Sequence, residues 1–501
     1  MSIAAGSLVV TTRQGQVRGQ VRDGVAAFKG IPYAAPPYGP NRFQPPRPPQ
    51  SWDGVRDAFE YGRVAPQPPY APPFDRLLGD QGRQGEDCLN LNLWTPDPSP
   101  GGLPVMVWIH GGSFVRGSGV LPTYDGTRFA RDGVVCLTIN YRLGADGFLY
   151  LGDGIANRGL LDQIAALEWV QENIRAFGGD PARVTIFGES AGAFSVATLL
   201  SMPRAKGLFQ RAIAQSGAGH HTSSVATAKL VGRNLADKLG VAPTMPSIAA
   251  VSLDRLIEAQ AALGQELAVR PDPGRWGEVA ANGMIFEPVV DREVVPARPI
   301  ERIATGAGAD LDLMIGTTEE EWRFFLVPGN AIDRVTEERL STTARVMGLD
   351  VGQALSVYRA ARPLATPGDL LAALITDWFF RIPAIRLGEA HAKNGGSPHM
   401  YEFAWGSPLF DGRFGSAHVV EIGFVFDNLG LPRGVGLAGS DPPQALADLM
   451  HRAWVAFAAS GEPGWSPYDS SARTVMRFDG AGGTVVIDPA GEERRLWNSI
   501  R

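Results

Sequence analysis

The sequence predicts an α/β protein built on a central, mostly parallel sheet with helices on both faces. Three observations carry this expectation. Apolar runs of strand length alternate with longer stretches whose apolar residues recur at helical spacing. The strand-like runs are apolar throughout and end in glycine or polar residues, as strands buried on both faces do. One serine, Ser190, stands between Gly188 and Gly192 where a strand-like run passes into a helix-like one.

In chain order, residues 32–73 come first and are rich in proline, as in "IPYAAPPYGPNRFQPPRPPQSW". Such a stretch cannot join a central sheet. Its interleaved Tyr33, Tyr38, Phe43, Trp52, Tyr61 and Tyr70 predict an ordered belt around the core, because disordered segments are poor in aromatics. "LPVMVWIHGG" and "VVCLTINYR" then read as buried strands. "GLLDQIAALEWVQENIRAFG" places Leu161, Ile164, Leu167, Trp169, Val170, Ile174 and Phe177 at helical spacing and stops at Gly178-Gly179. "RVTIFG" reads as a strand, "AGAFSVATLLSM" as a helix, and "QRAIAQSG" and "DLDLMIGTT" as strands. Residues 225–305 and 328–395 read as mainly helical insertions over the C-terminal edge of the sheet. No internal repeat is evident. Length alone suggests about three domains for 501 residues, but the continuous alternation points to one unit over 1–501.

The net charge of −6 gives no basic footprint for nucleic acid or an anionic membrane. Cys88 and Cys136 show no metal spacing and no disulfide framework, so both are expected to be structural thiols. The opening "MSIAAGSLVVTTRQGQVRG" lacks the basic start and apolar segment of a signal peptide. No apolar run is long enough to span a membrane. These features predict a cytoplasmic protein, a monomer or small homo-oligomer, with no membrane or nucleic-acid partner.

Gly188-Glu189-Ser190-Ala191-Gly192 places a serine on a sharp strand-to-helix turn, where its side chain projects over the sheet edge. The turn folds back so tightly that residues 188 and 192 must be small. The helix that follows directs the positive end of its dipole at Ser190. A nucleophile also needs donors for an oxyanion. "WIHGGSF" ends an upstream strand, and the backbone N–H groups of Gly112 and Ser113, with that of Ala191, are the candidates. His110 precedes the serine and reads as structural.

In this architecture the acid and then the histidine follow the serine. His220 and His221 fall too early. His391, His399, His418 and His451 remain, and spacing alone does not separate them, although His418 lies in a loop that could reach over the sheet edge. "GTTEEEW" offers Glu319, Glu320 and Glu321 at a strand's C-terminal end, where catalytic groups gather. Sequence physics does not choose among the three.

Taken together, these residues resemble the type-B carboxylesterases, the α/β-hydrolase family that includes cholinesterases and bacterial carboxyl- and p-nitrobenzyl-esterases. "FKGIPYAAPPYGPNRFQPP", "EDCLNLNLWTP", "WIHGGSF", "NRGLLDQIAALEWVQENIRAFGGDPARVTIFGESAG", "AIAQSGA", "FEPVVD" and "AWVAFAASGEPGW" carry the likeness over nearly the whole chain. The resemblance implies an α/β-hydrolase fold and a serine carboxylesterase of bacterial type. It implies a triad of Ser190, His418 and Glu321, with no cofactor or metal and a small-molecule ester as substrate. It implies that Ser216 supports the triad by hydrogen bonding and that Glu421 is a buried acid behind it. Two positions depart from the family pattern. Trp322 stands where glycine is usual, and Ser113 where glycine or alanine is usual. The family's first disulfide lacks its upstream partner for Cys88, which fits a reducing compartment. The choline-site tryptophan is missing, because no Trp lies between Trp52 and Trp94, so a cation–π site for quaternary ammonium is not expected.

The same acyl chemistry would serve an amide, carbamate or thioester. A non-catalytic binding module is the alternative of another class, disfavoured by the filled triad positions. An unperturbed His418 would place the acid limb of the rate near pH 6.5.

Overall fold

The computed structural model describes residues 6–99, 101–430, 436–498 and 500. Five strands open the chain: β1 Gly6–Thr11, β2 Gln16–Arg22, β3 Val25–Pro32, β4 Val55–Asp57 and β5 Asn90–Thr95. The centre follows with β6 Leu103–Ile109, β7 Val135–Ile139, β8 Gly179–Glu189 and β9 Arg211–Gln215. Two-residue strands β10 Ser223–Ser224 and β11 Val289–Val290 pair with each other. The last strands are β12 Asp312–Thr318, β13 His399–Phe403, β14 Thr474–Asp479 and β15 Gly482–Ile487.

The large sheet has the order β1-β2-β3-β5-β7-β6-β8-β9-β12-β13-β14-β15, with β4 beside β2. From β7 to β14 every neighbouring pair is parallel, and antiparallel strands flank this block on both sides. Every residue of β5 and β7 is buried, as are all but the first of β6, β9 and β12. Successive side chains point to opposite faces, so both faces are covered by other elements. The apolar runs that predicted strands are therefore apolar because neither face meets water.

Register brings several strand ends to one rim. Ile109 pairs with Gly188, Gly188 with Ala214, and Gln215 with Gly316. Gly316 in turn pairs with Tyr401. The residues that leave these strands, including Ser190 and Glu321, thus emerge side by side.

The predicted helix after residue 160 runs over Arg158–Asn173 and tightens into a 3₁₀ turn at Ile174–Phe177. It stops at Gly178, which takes φ +86° and whose N–H bonds the Arg175 carbonyl. The two predicted insertions are largely helical. The first contains Val225–Leu239 and Leu253–Val269. The second contains Glu337–Val346, Val351–Ala361, Pro367–Thr376 and Ile382–Lys393. Both cysteines are buried and free. No helix among the described residues is long and apolar enough to cross a membrane.

The proline-rich stretch is ordered against the core, with Tyr33, Tyr38 and Phe43 all buried. Tyr33 donates its hydroxyl to the Asn140 carbonyl. Arg142, fully buried beyond β7, ties the belt to the interior. Its guanidinium donates to the Gln44 carbonyl at 2.7 Å, and its Nε and Nη2 bond the two Asp162 carboxylate oxygens at 2.8 and 2.7 Å. The Arg142 backbone N–H bonds the same carboxylate at 3.0 Å. Removing one member leaves the other charge buried and unpaired. Asp162→Ala is therefore expected to cost about 3–5 kcal/mol, read as a fall in the denaturation midpoint. A change below about 1 kcal/mol would show that the pair does not hold belt and core together.

Candidate active site

Ser190 sits between the end of β8 and the helix Ala191–Ser201, at φ +57° and ψ −123°. A non-glycine residue there is strained and is held by its surroundings. Its N–H bonds the Gln215 carbonyl at 3.0 Å, and its carbonyl accepts from Phe194 N–H at 2.9 Å. The two glycines have a visible reason. A methyl on Gly188 would lie 2.6 Å from the Ile109 carbonyl oxygen, and one on Gly192 would overlap that same oxygen. Ser190 is partly exposed, its hydroxyl does not cap the helix, and it has no hydrogen-bond partner among the described residues.

His110 follows Ile109 and begins the glycine loop. The ring stacks on Tyr141 at 4.4 Å, its Nδ1 lies 2.8 Å from the Gly111 carbonyl, and burial pulls it down to about 4. It packs as the sequence suggested. Gly112, Ser113 and Phe114 have φ of +110°, +54° and +60°. Val115 and Arg116 N–H both bond the Gly112 carbonyl, which closes the turn. The N–H groups of Gly112, Ser113 and Ala191 donate to no acceptor among the described residues. A methyl on Gly111 would sit 3.1 Å from Ser190 Cβ and 3.0 Å from Glu189 Oε2, so this loop abuts both residues.

The three consecutive glutamates separate cleanly. Glu319 pairs with Arg477 at 2.8 Å and Glu320 with Arg323 at 2.9 Å, both on the surface side. Glu321 turns inward and is fully buried. Its Oε1 accepts from Thr318 N–H at 2.8 Å, and its Oε2 lies 2.6 Å from His418 Nδ1. The other late histidines are engaged elsewhere, His391 with the Gly308 carbonyl, His399 near Glu462, and His451 with the Val425 carbonyl.

The hydrogen bond expected between Ser190 and His418 is not formed. His418 Nε2 lies instead 3.0 Å from Glu189 Oε1, an ion-pair approach off the line of a hydrogen bond. The imidazole is 2% exposed and stands between two carboxylates. Burial alone would lower its pKa, but Glu189 and Glu321 outweigh burial and hold it above the ordinary 6.5. Burial, only partly offset by His418, raises the Glu189 carboxyl above its usual range.

The Glu189 side chain was missed in the sequence, although it adjoins the serine. Ser216 bonds the Gly316 carbonyl through its N–H at 2.8 Å, and its buried hydroxyl has no partner among the described residues. Glu421 Oε1 accepts from Gln215 Nε2 at 3.1 Å and from Tyr401 hydroxyl at 3.0 Å. Burial and its acidic neighbours push it up to about 8, so it is mainly protonated at neutral pH.

An aromatic wall borders the imidazole, with ring centroids at 4.8 Å for Phe380, 5.6 Å for Phe325 and 6.0 Å for Phe324. Phe380 sits on a π-helical turn, Asp377–Arg381, braced by the buried Arg381–Asp377 pair. Such turns cluster at functional sites. Trp322 takes φ −73°, an ordinary helical value, so a side chain there carries no backbone strain.

A family model described as "Carboxylesterase family" matches residues 6–485. The chain belongs to the carboxylesterase family. Para-nitrobenzyl esterase of Bacillus subtilis (strain 168) is 37% identical, the match covering 97% of this chain and 98% of that protein. Phenmedipham hydrolase of Pseudarthrobacter oxydans is also 37% identical, over 91% and 90% of the two chains. Among solved structures, a carboxylesterase of Geobacillus stearothermophilus superposes with a TM-score of 0.86 at 38% identity. That match covers 98% of this chain and all of the other. The protein is thus a carboxylic ester hydrolase of the α/β-hydrolase fold.

The steric reading of the serine turn can be tested on the carboxylesterase without any substrate. Gly192→Ala should cost about 3 kcal/mol in chemical denaturation. Gly264→Ala, whose added methyl meets nothing within 4 Å, should hold stability or gain up to about 1 kcal/mol. Equal behaviour of the two variants would contradict the close approach at Ile109.

Proposed function

We propose that the enzyme hydrolyses small carboxylic esters through an acyl-enzyme on Ser190, with His418 as general base and Glu321 as its partner. The observation that carries this reading is the 2.6 Å contact between His418 Nδ1 and the fully buried Glu321, at the rim where Ser190 is partly exposed. Glu321 holds the imidazole with Nδ1–H donated to it and stabilises the imidazolium. Nε2 is then the nitrogen left to take the Ser190 proton as the hydroxyl attacks the acyl carbon. The unengaged N–H groups of Gly112, Ser113 and Ala191 receive the oxyanion. His418 next gives its proton to the leaving alcohol, and then activates water to release the acid.

Glu189 adds a feature to this scheme. While it faces Nε2, it stabilises the protonated imidazole before substrate arrives and opposes the base form. It also stabilises the imidazolium that forms when Ser190 attacks. The first effect raises the pH at which the enzyme becomes active. The second lowers the barrier.

Hydrolysis of a p-nitrophenyl acyl ester by the unaltered enzyme, and covalent labelling of Ser190 by a fluorophosphonate, are the direct tests. Ser190→Ala should lower turnover by about six orders of magnitude. Substantial turnover in a clean preparation of that variant would refute the assignment.

The pH dependence follows from the flanking carboxylates. The base form of His418 exists only above its raised pKa, so kcat/KM should fall on acidification with an acid limb above pH 6.5. Removing one carboxylate by Glu189→Gln should move that limb down by about one unit or more. A profile from pH 5 to 9 that stays where it was would show that Glu189 does not act on the imidazole.

A further inference from the structure

Trp322 follows Glu321 directly, and its ring is only partly buried. Its position is well fixed. The Trp322 N–H bonds Thr376 Oγ1 at 3.0 Å, and its carbonyl accepts from Phe325 N–H at 3.1 Å. The indole packs against Phe325 at 4.5 Å, Phe379 at 5.2 Å and Phe380 at 6.2 Å. Phe325 and Phe380 in turn pack on His418. Behind them Phe379 stacks on His221 at 4.1 Å, and His221 packs on Phe194, one turn after Ser190. A continuous chain of packed rings therefore runs from Trp322 to both the imidazole and the serine helix. Phe379 and Phe380 are almost fully buried, whereas Trp322 and Phe325 keep part of their rings open. The Trp322 indole N–H has no acceptor among the described residues and is not among the buried unpaired groups. A tryptophan needed only for the core would bury its face or satisfy its N–H.

We infer that Trp322 is a specificity-determining residue that forms the open face of a subsite for an aromatic ring of the ester, beside the reacting carbonyl. This deepens the esterase reading and rests on it. A flat ring packs on indole and phenyl faces at centroid separations of about 4.5–7 Å, and a small aliphatic group leaves that surface uncovered. The backbone of Trp322 accepts any residue, so the indole can be removed without forcing the loop.

The experiment compares ratios, so that intrinsic ester reactivity cancels. kcat/KM is measured for phenyl acetate against ethyl acetate, and for methyl benzoate against methyl acetate. In Trp322→Ala at least one aromatic-to-aliphatic ratio should fall about tenfold or more relative to the unaltered enzyme. The pair that moves tells whether the ring lies on the leaving-group or the acyl side. Trp322→Phe, which keeps a ring, should hold that ratio within about threefold. Both ratios unchanged in Trp322→Ala, or both variants losing all four esters equally, would overturn the inference while leaving the esterase intact. No turnover of any of the four by the unaltered enzyme would overturn the esterase reading and the subsite with it.

Discussion

The carbonyl oxygen of Ile109, at the end of β6, is the point on which the site is built. Two glycines from the next strand and its helix close on it, Gly188 and Gly192. That approach leaves no space for a side chain, and the intervening residue is forced to φ +57°. The same carbonyl ends the strand that leads into His110 and the Gly112–Ser113 turn. One crowded contact therefore sets both the Ser190 turn and the glycine loop beside it. The strain is affordable because the Ser190 N–H is anchored on Gln215, whose own side chain bridges Glu421 and Trp454.

Behind this contact the charge distribution is lopsided. Glu189 and Glu321 flank a single imidazole, and Glu421 is buried close enough to feel both carboxylates. Three ionised carboxylates in so little volume would repel one another strongly. The structure relieves this in different ways. Glu321 accepts from a backbone N–H and faces the imidazole, burial and its acidic neighbours push Glu421 toward the neutral form, and Glu189 leans on His418. The imidazole thus sits between two buried carboxylates, and both hold its pKa above the ordinary value.

Much of this was legible before any coordinates. Buried parallel strands betray themselves because neither face can be polar, so β6, β7, β8, β9 and β12 appear as apolar runs. The glycines around Ser190 are legible because only close backbone approach explains both. The acid was not legible by physics. Glu319, Glu320 and Glu321 share one composition and one spacing, and only the folded chain separates them, with Glu319 on the distant Arg477, Glu320 on the nearby Arg323 and the third turned inward. The resemblance to known esterases singled it out. The side chain of Glu189 was invisible for a similar reason, since its role arises only when His418 folds back over 200 residues later. Phe380 shows the same limit. Its helix was expected, but the π-helical turn that aims it at the imidazole depends on tertiary packing.

The order of strands has a consequence for how the chain is made. β12 lies between β9 and β13, and the last parallel partner, β14, begins at Thr474. During vectorial synthesis Ser190 and the glycine loop at residues 111–113 leave the ribosome long before Glu321 and His418. Until β12 arrives, the flank of β9 is an open strand edge. Such unpaired edges attract other chains. The arrangement that gathers Ser190, Glu321 and His418 from afar also leaves the nascent polypeptide with an adhesive edge while the whole stretch between β9 and β12 is made.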